Sequence, residues 1–210
     1  FRSLGVMIQW LPVTKIQVEY FLSYTTDTNY NDPWYQNVLG FNPRISPGNI
    51  NGANYWEAFI TGILPKDALA YARWCGDSYS LPTASEWYRI YEYLLSIPAS
   101  PEHLTQILEM PNLKPRVRTL LQNIEDSARQ AEFQLDGKRS LADQMLFRLG
   151  VMEFVYRDNN RNSYGGYGQP HNQFFSQLDV PRRDAPQNLS NPRDGAQLKQ
   201  YGFRLINSRR

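Results

Sequence analysis

The clearest periodic pattern of apolar residues lies near the middle of the chain. Trp87, Ile90 and Leu94 recur at the spacing of one helix face. Just before them, Thr83 precedes Glu86 by three residues, which is the spacing of a capping box. In that motif the threonine hydroxyl accepts from the Glu86 backbone N–H, and the Glu86 carboxylate accepts from the Thr83 N–H. The pattern therefore predicts a helix that begins at Thr83.

A second helix is predicted just upstream by the residues at its two ends. Pro65 suits a first helical turn, and Asp67 suits the positive end of the helix dipole. Gly76 suits the C-terminal stop, because glycine adopts the left-handed conformation without strain. The sequence thus predicts a helix from Pro65 that ends at Gly76. Within it we interpret Trp74 and Cys75 as core residues.

The N-terminal part of the chain predicts a strand and then a helix. Residues 4–10 form a short apolar run that a proline ends soon afterwards. Thr14 suits the cap of a following helix. On that helix Ile16, Tyr20 and Phe21 are predicted to share one face.

The segment 100–147 predicts helices of its own. Pro115 stands where a first-turn proline would, and Ser140 begins another helical pattern. Apolar residues follow the proline at helical spacing, namely Val117, Leu120, Leu121 and Ile124. We interpret the segment as a helical insertion packed on one side of the core.

The stretch 156–177 contains no Ala, Val, Ile, Leu or Met. We expect it to be a long connection, and connections beyond about 12–15 residues are usually functional or disordered. Tyrosine, asparagine, serine and glycine are the residues of binding loops, where rigid rings supply area and small polar groups supply hydrogen bonds. The alternative is a merely solvated connection. We predict a ligand-binding surface made of Tyr156, Arg157, Asn159, Asn160, Arg161, Asn162, Tyr164, Tyr167, His171, Asn172, Phe174 and Phe175.

Composition narrows the classes of protein. An apolar fraction of 41% in 210 residues predicts one folded globular domain over 1–210. The net charge of +2 is too small to favour nucleic acid or an acidic membrane surface. No apolar run has the length of a membrane span. The single cysteine excludes an internal disulfide and favours a reducing compartment, so we expect a cytoplasmic location.

Several segments resemble those of the formylglycine-generating enzyme, or sulfatase-modifying factor, family. They are Pro12-Val13-Thr14, Asp67-Ala68 with Tyr71 and Trp74, Leu81-Pro82-Thr83 with Glu86-Trp87, Gly150-Val151-Met152-Glu153-Phe154-Val155, and Tyr201-Gly202-Phe203-Arg204-Leu205. They occur in the family's order and span nearly the whole chain. Segment 100–147 departs from the family's pattern, because relatives have irregular loops there that supply calcium ligands.

The resemblance implies an irregular α+β, C-type-lectin-like fold with a helical insertion. It implies that strands at 4–10 and 202–206 lie next to each other. Glu153 is expected to brace a loop from inside the fold. The glycines of 165–168 match a turn of the family.

Metal chemistry is not expected from the residues present. The family's oxidase members bind copper through a late pair of cysteines, and here no cysteine follows Cys75. The two histidines, His103 and His171, lie far apart in sequence and are interpreted as surface residues, whereas a metal site needs three or four convergent ligands. We predict no cofactor and no copper. Calcium stays open, with candidate ligands Asp32, Asn51, Asp158 and Asp179.

The leading functional hypothesis is a non-catalytic module that binds a protein or another macromolecular ligand through its late loops. One version of this hypothesis is a variable protein of a diversity-generating retroelement, since the same motifs resemble those proteins. One alternative is a cysteine-independent modifying enzyme that pairs His171 with Asp158 or Arg157. Another is a regulatory or interaction domain of a larger bacterial signalling or defence protein. We expect further domains, since the chain begins at Phe1 rather than Met.

Overall fold

The computed structural model describes residues 5–26, 59–63, 65–100, 105–106, 108–109, 111, 115, 118–119, 121–122, 140–147, 152–157, 160–168, 173–175 and 201–207. In this part of the chain the architecture is α+β, with helices packed on two small sheets. The α+β class predicted from the sequence is confirmed.

The helices begin where the caps predicted them to begin. Their bounds are α1 Lys15–Tyr24, α2 Pro65–Cys75, α3 Ala84–Leu95 and α4 Leu141–Gln144. Thr14, Thr83 and Ser140 are the N-caps of α1, α3 and α4, and each closes a full capping box. Gly76 follows α2 with φ +139°, a conformation that favours glycine. These helices confirm the predictions made from local sequence.

Three short strands form the first sheet. They are β1 Met7–Ile8, β2 Tyr79–Ser80 and β7 Ile206–Asn207, in the order β1-β7-β2, with both pairs antiparallel. The strand predicted near the N-terminus thus lies beside the strand near the C-terminus. That adjacency is confirmed.

The second sheet has four strands. They are β3 Met152–Arg157, β4 Asn160–Gly168, β5 Gln173–Phe175 and β6 Tyr201–Gly202, in the order β5-β4-β3-β6. The pair β3–β6 is parallel, and the other two pairs are antiparallel. The closing strand expected at 202–206 is therefore two strands in two sheets, because residues 203–205 leave the second sheet before β7 joins the first.

The stretch 156–177 is not the irregular connection that its composition predicted. Within it, residues 160–168 form β4 and residues 173–175 form β5. Strand β4 pairs with β3, where Val155 is opposite Gly165. The expected glycine turn at 165–168 is strand backbone instead. Backbone hydrogen bonding to β3 needs no apolar alternation in β4, which explains why the hydrophobic pattern failed here.

The buried face of α1 also differs from the predicted face. Val18 and Phe21 are buried, whereas Ile16 is 37% exposed and Tyr20 is 52% exposed. Apolar residues occur on more than one face of α1. Their spacing alone does not determine which face packs on the core.

The core consists of two clusters with strand β3 between them. Phe154 and Tyr156 belong to the first cluster, which α1 and α2 also build, while Val155 belongs to the second, with α3 and α4. The segment that leads into β7 alternates in the same way, since Leu205 is in the first cluster and Ile206, the first residue of β7, is in the second. Both segments are therefore buried on their two faces.

The predicted insertion is described only in part. Backbone at 105–106, 108, 115, 118–119 and 121–122 is helical, as expected for that segment. Of its predicted apolar stripe only Leu121 falls among the described residues, and it is half-buried. That the segment is an insertion stays a prediction.

Removing the cap of α3 should lower stability measurably. The Thr83 hydroxyl accepts from the Glu86 N–H at 3.2 Å, and the Thr83 N–H donates to Glu86 Oε2 at 2.8 Å. We expect Thr83→Ala to lower the free energy of unfolding by about 1 kcal/mol, since a helix cap contributes about 0.5–2 kcal/mol. Chemical denaturation checks it. Thr83→Ser should restore most of the loss, and equal losses for both variants would contradict the capping role.

Candidate functional site

A buried ion pair joins the two segments that run between the core clusters. Arg204 is fully buried and Glu153 is 1% exposed. Arg204 Nη2 lies 2.7 Å from Glu153 Oε1, and Arg204 Nε lies 2.9 Å from Oε2. The indole Nε1–H of Trp87 donates to the same Oε2 at 2.8 Å. Glu153 thus lies inside the fold, where it holds β3 to the segment before β7 and to α3.

All five N–H donors of the Arg204 guanidinium have acceptors. Besides the carboxylate, Nη1 donates to the carbonyl oxygens of Gln9 and Trp10 at 3.3 and 3.1 Å, and Nη2 donates to that of Met145 at 3.0 Å. The ring centroid of Phe147 lies 3.8 Å from Cζ, which is a cation–π distance. A buried guanidinium is tolerated only when paired and hydrogen-bonded, and this one is both.

Removing one partner of this pair should destabilise the fold severely. Arg204→Met leaves the Glu153 carboxylate buried without its counter-ion, which costs about 3–5 kcal/mol. We expect a loss of that size in the free energy of unfolding, measured by chemical denaturation. The control Arg89→Met removes an exposed arginine of α3 and should change it by less than about 0.5 kcal/mol.

The double variant Glu153→Leu with Arg204→Met separates lost charge pairing from lost packing. It should be more stable than Arg204→Met alone, because no charge then stays buried unpaired. A single Arg204→Met variant as stable as the control would contradict the role of the pair.

The residues of the predicted ligand surface fall into three groups. Tyr156 is 7% exposed and packs in the first core cluster, so its side chain does not lie on an open surface. The structure places the backbone of the next group in strands: Arg157, Asn160, Arg161, Asn162, Tyr164, Tyr167, Phe174 and Phe175. The last group, Asn159, His171 and Asn172, lies outside the described residues, as do Asp32, Asn51, His103, Asp158 and Asp179.

Sheet pairing brings several members of the predicted surface together. Tyr164 pairs with Tyr156, Tyr167 pairs with Glu153, and Phe174 pairs with Tyr167. The register shifts between Tyr156 and Arg157, at the end of β3. Interruptions of the strand pairing, such as β-bulges, bend a strand and occur often beside functional sites.

A second candidate surface, which the sequence analysis did not identify, lies on α1 and α2. We call it the aromatic surface, and it consists of Ile16, Tyr20, Tyr24 and Trp74. Their exposed fractions are 37, 52, 63 and 39%. The expectation that Trp74 is a core residue is therefore wrong. The available signal was the spacing of Ile16, Tyr20 and Tyr24 at i, i+4 and i+8, whereas the sequence analysis grouped Ile16 and Tyr20 with Phe21.

The rings of the aromatic surface contact one another and the core beneath. The Tyr20 centroid lies 4.7 Å from that of Tyr24 and 5.8 Å from that of Trp74. Trp74 also lies 5.6 Å from Phe21 and 5.9 Å from Tyr71, both buried. A hydrogen bond to Tyr24 raises the pKa of Tyr20. These contacts fix the exposed rings in place.

Cys75 lies at the end of α2 beside the aromatic surface, and it is half-buried. Burial raises the pKa of its thiol, and a hydrogen bond from the Tyr71 hydroxyl opposes that shift. A raised pKa means less thiolate, which is the nucleophilic form. This environment favours a packing role for Cys75 against the first core cluster, although the side chain is half-buried and not fully buried as predicted.

Alkylation of Cys75 tests its environment directly, since the chain has one cysteine. Near the ordinary thiol pKa of about 8.5, we expect iodoacetamide to react more slowly with the folded chain than with the chain unfolded in urea. Tyr71→Phe should slow the folded reaction further, because it removes the hydrogen bond that lowers the pKa. Equal rates for the folded and unfolded chain would contradict this account.

Among the described residues no group of three or more His, Cys, Asp or Glu side chains could hold a metal ion. None of the described helices has the length and apolar character needed to cross a membrane. The chain matches no protein-family model, no curated protein and no solved structure.

Proposed function

We propose that this chain is a non-catalytic module that binds a protein or another macromolecular ligand through the segment 157–175. The observation that carries the proposal is the burial of β3. Its residues Glu153, Phe154 and Val155 are each at most 1% exposed, and Glu153 is bound to Arg204 and Trp87. The segment proposed to bind therefore starts from a backbone held on both faces.

Rigid support matters because binding must offset the entropy of ordering the residues that make contact. A segment whose backbone is already paired loses less conformational freedom on binding than a free loop does. Strand β4 pairs with β3 from Glu153 to Arg157, and β5 pairs with β4. Aromatic residues then supply most of the affinity of such surfaces, and this segment carries Tyr164, Tyr167 and Phe174.

Tyr156 leaves the proposed surface because its ring belongs to the core. The remaining members are Arg157, Asn159, Asn160, Arg161, Asn162, Tyr164, Tyr167, His171, Asn172, Phe174 and Phe175. Their mixture of rings, amides and guanidinium groups suits a ligand that is itself polar and hydrogen-bonding.

The fold proposed for the module is the C-type-lectin-like fold of the formylglycine-generating enzyme family. Two of the segments that resemble the family contain Glu153 and Arg204, and these two residues form the buried pair. The caps Thr14 and Thr83 and the adjacent terminal strands agree with the same family pattern. A retroelement-diversified variable protein would keep β3 constant and vary the residues after it, which is the division proposed here.

Alanine substitution of three aromatic residues tests the site. Peptide and glycan binders are first selected from displayed libraries on the wild-type chain. We expect Tyr164→Ala, Tyr167→Ala and Phe174→Ala together to weaken their binding about 30-fold or more, since a truncated hot-spot residue costs about 2 kcal/mol or more. Fluorescence anisotropy measures the affinity, and the melting temperature reports the fold.

The matched control is Tyr88→Ala with Tyr93→Ala, which removes two exposed tyrosines of α3. It should leave the same binders unaffected. If the selected binders bind the triple variant as tightly as the wild type, the proposed site is wrong. Loss of binding together with loss of the folded state would instead assign the three rings to the core and would equally contradict the proposal.

A further inference from the structure

The aromatic surface has positive charge on one side. Lys66 and Arg73 are both exposed on α2. They are seven residues apart, so they project within about 20° of the same direction and about 10.5 Å apart along the axis. Trp74 follows Arg73 and lies on the side of α2 that meets α1, since its ring contacts Tyr20. Lys66 and Arg73 lie about 80–100° from Trp74 around α2, so the face formed by the exposed rings has the two cations along its edge away from α1.

The carboxylates of the two helices lie away from this face. Asp67 is buried. Glu19 and Phe21 lie on opposite flanks of Tyr20 around α1, each about 100° away. Because the Phe21 ring contacts Trp74, Glu19 lies on the flank away from α2. A partner that covers the rings from the side of α2 thus meets positive charge.

We propose that this face binds an acidic, proline-rich peptide segment of another protein in the polyproline II conformation. That conformation has three residues per turn and rises about 3.1 Å per residue, so acidic residues at i and i+3 lie on one edge about 9.3 Å apart. This spacing matches the separation of Lys66 and Arg73 within the reach of the flexible lysine side chain. The other two edges carry proline rings, which pack on exposed tyrosine and tryptophan rings.

An extended β-strand does not fit the same charges as well. Its residues i and i+3 project to opposite faces, so its acidic groups at that spacing cannot both reach α2. The polyproline II conformation also needs little ordering on binding, because it is a major conformer of free proline-rich chains.

The area of the face favours a peptide over a second copy of this chain. Three rings of about 150–250 Å² each, exposed by 52, 63 and 39%, and the exposed part of Ile16 offer on the order of 300–400 Å². Patches of this size on a monomer are often functional. A standard protein interface buries about 800 Å² per partner, which is roughly twice as much.

A repeated Pro-Pro-Asp peptide is the direct probe, because it places every carboxylate on one edge and prolines on the other two. We expect fluorescence anisotropy to detect its binding to the folded chain, and the affinity to fall as salt is added. A Pro-Pro-Lys repeat should not bind. A Gly-Ser-Asp repeat has the same charge without the preformed helix and should bind at least about tenfold more weakly.

Variants assign the binding to this face. Tyr20→Ala with Trp74→Ala should weaken Pro-Pro-Asp binding about tenfold or more. Lys66→Glu with Arg73→Glu should weaken it about fivefold or more and remove most of the salt dependence. The second pair changes only exposed residues, so it decides the question even if the first pair unfolds the chain. Tyr88→Ala with Tyr93→Ala is the control that should bind normally.

The test is independent of the ligand surface proposed above, since the Tyr164, Tyr167 and Phe174 triple variant should bind the probe as the wild type does. The proposal is overturned if Pro-Pro-Asp shows no binding at about 1 mM, or if the Gly-Ser-Asp repeat binds equally well. It is also overturned if an acidic amphipathic helix binds this face while Pro-Pro-Asp does not. Dimerisation of the chain that Tyr20→Ala abolishes would assign the face to a second copy instead.

Discussion

A buried guanidinium constrains everything packed around it, because each of its five N–H groups must find an acceptor. In this chain the acceptors come from three places along the sequence. Gln9 and Trp10 follow β1, Met145 follows α4, and Glu153 lies on β3. One side chain, Arg204, therefore fixes the relative positions of segments that are 51 to 195 residues away in the sequence.

This constraint explains how the fold divides into a fixed part and two surfaces. The pair lies on the side of β3 that faces the second cluster, and residues 153–156 and 203–206 are all buried. The segment after β3 extends from that fixed backbone. The aromatic surface rests on the first cluster, through the contacts of Trp74 with Phe21 and Tyr71. The two proposed binding surfaces thus depend on the same core and use separate residues.

Local chemistry in the sequence predicted the helices well, because a capping box such as Thr83 with Glu86 acts within one turn. The other features depend on contacts between residues far apart in the sequence, and local patterns did not predict them. Strand β4 lacks apolar alternation, and its pairing with β3 is a backbone interaction that side-chain patterns do not report. Ile16 and Tyr20 had the right spacing for a buried face, yet α1 packs through Val18 and Phe21. Nothing local marks Arg204 for burial, since arginine usually lies at the surface.

Hydrogen exchange at two side chains tests most directly whether the buried pair organises the fold. The Nε–H group of Arg204 and the indole Nε1–H of Trp87 both donate to Glu153 and can be followed by nuclear magnetic resonance. If the pair organises the fold, both protons exchange only when the whole chain unfolds, with an exchange free energy equal to that from denaturation. Fast exchange of either proton in the folded chain, while core amides stay protected, would show that the pair opens locally and would contradict the account.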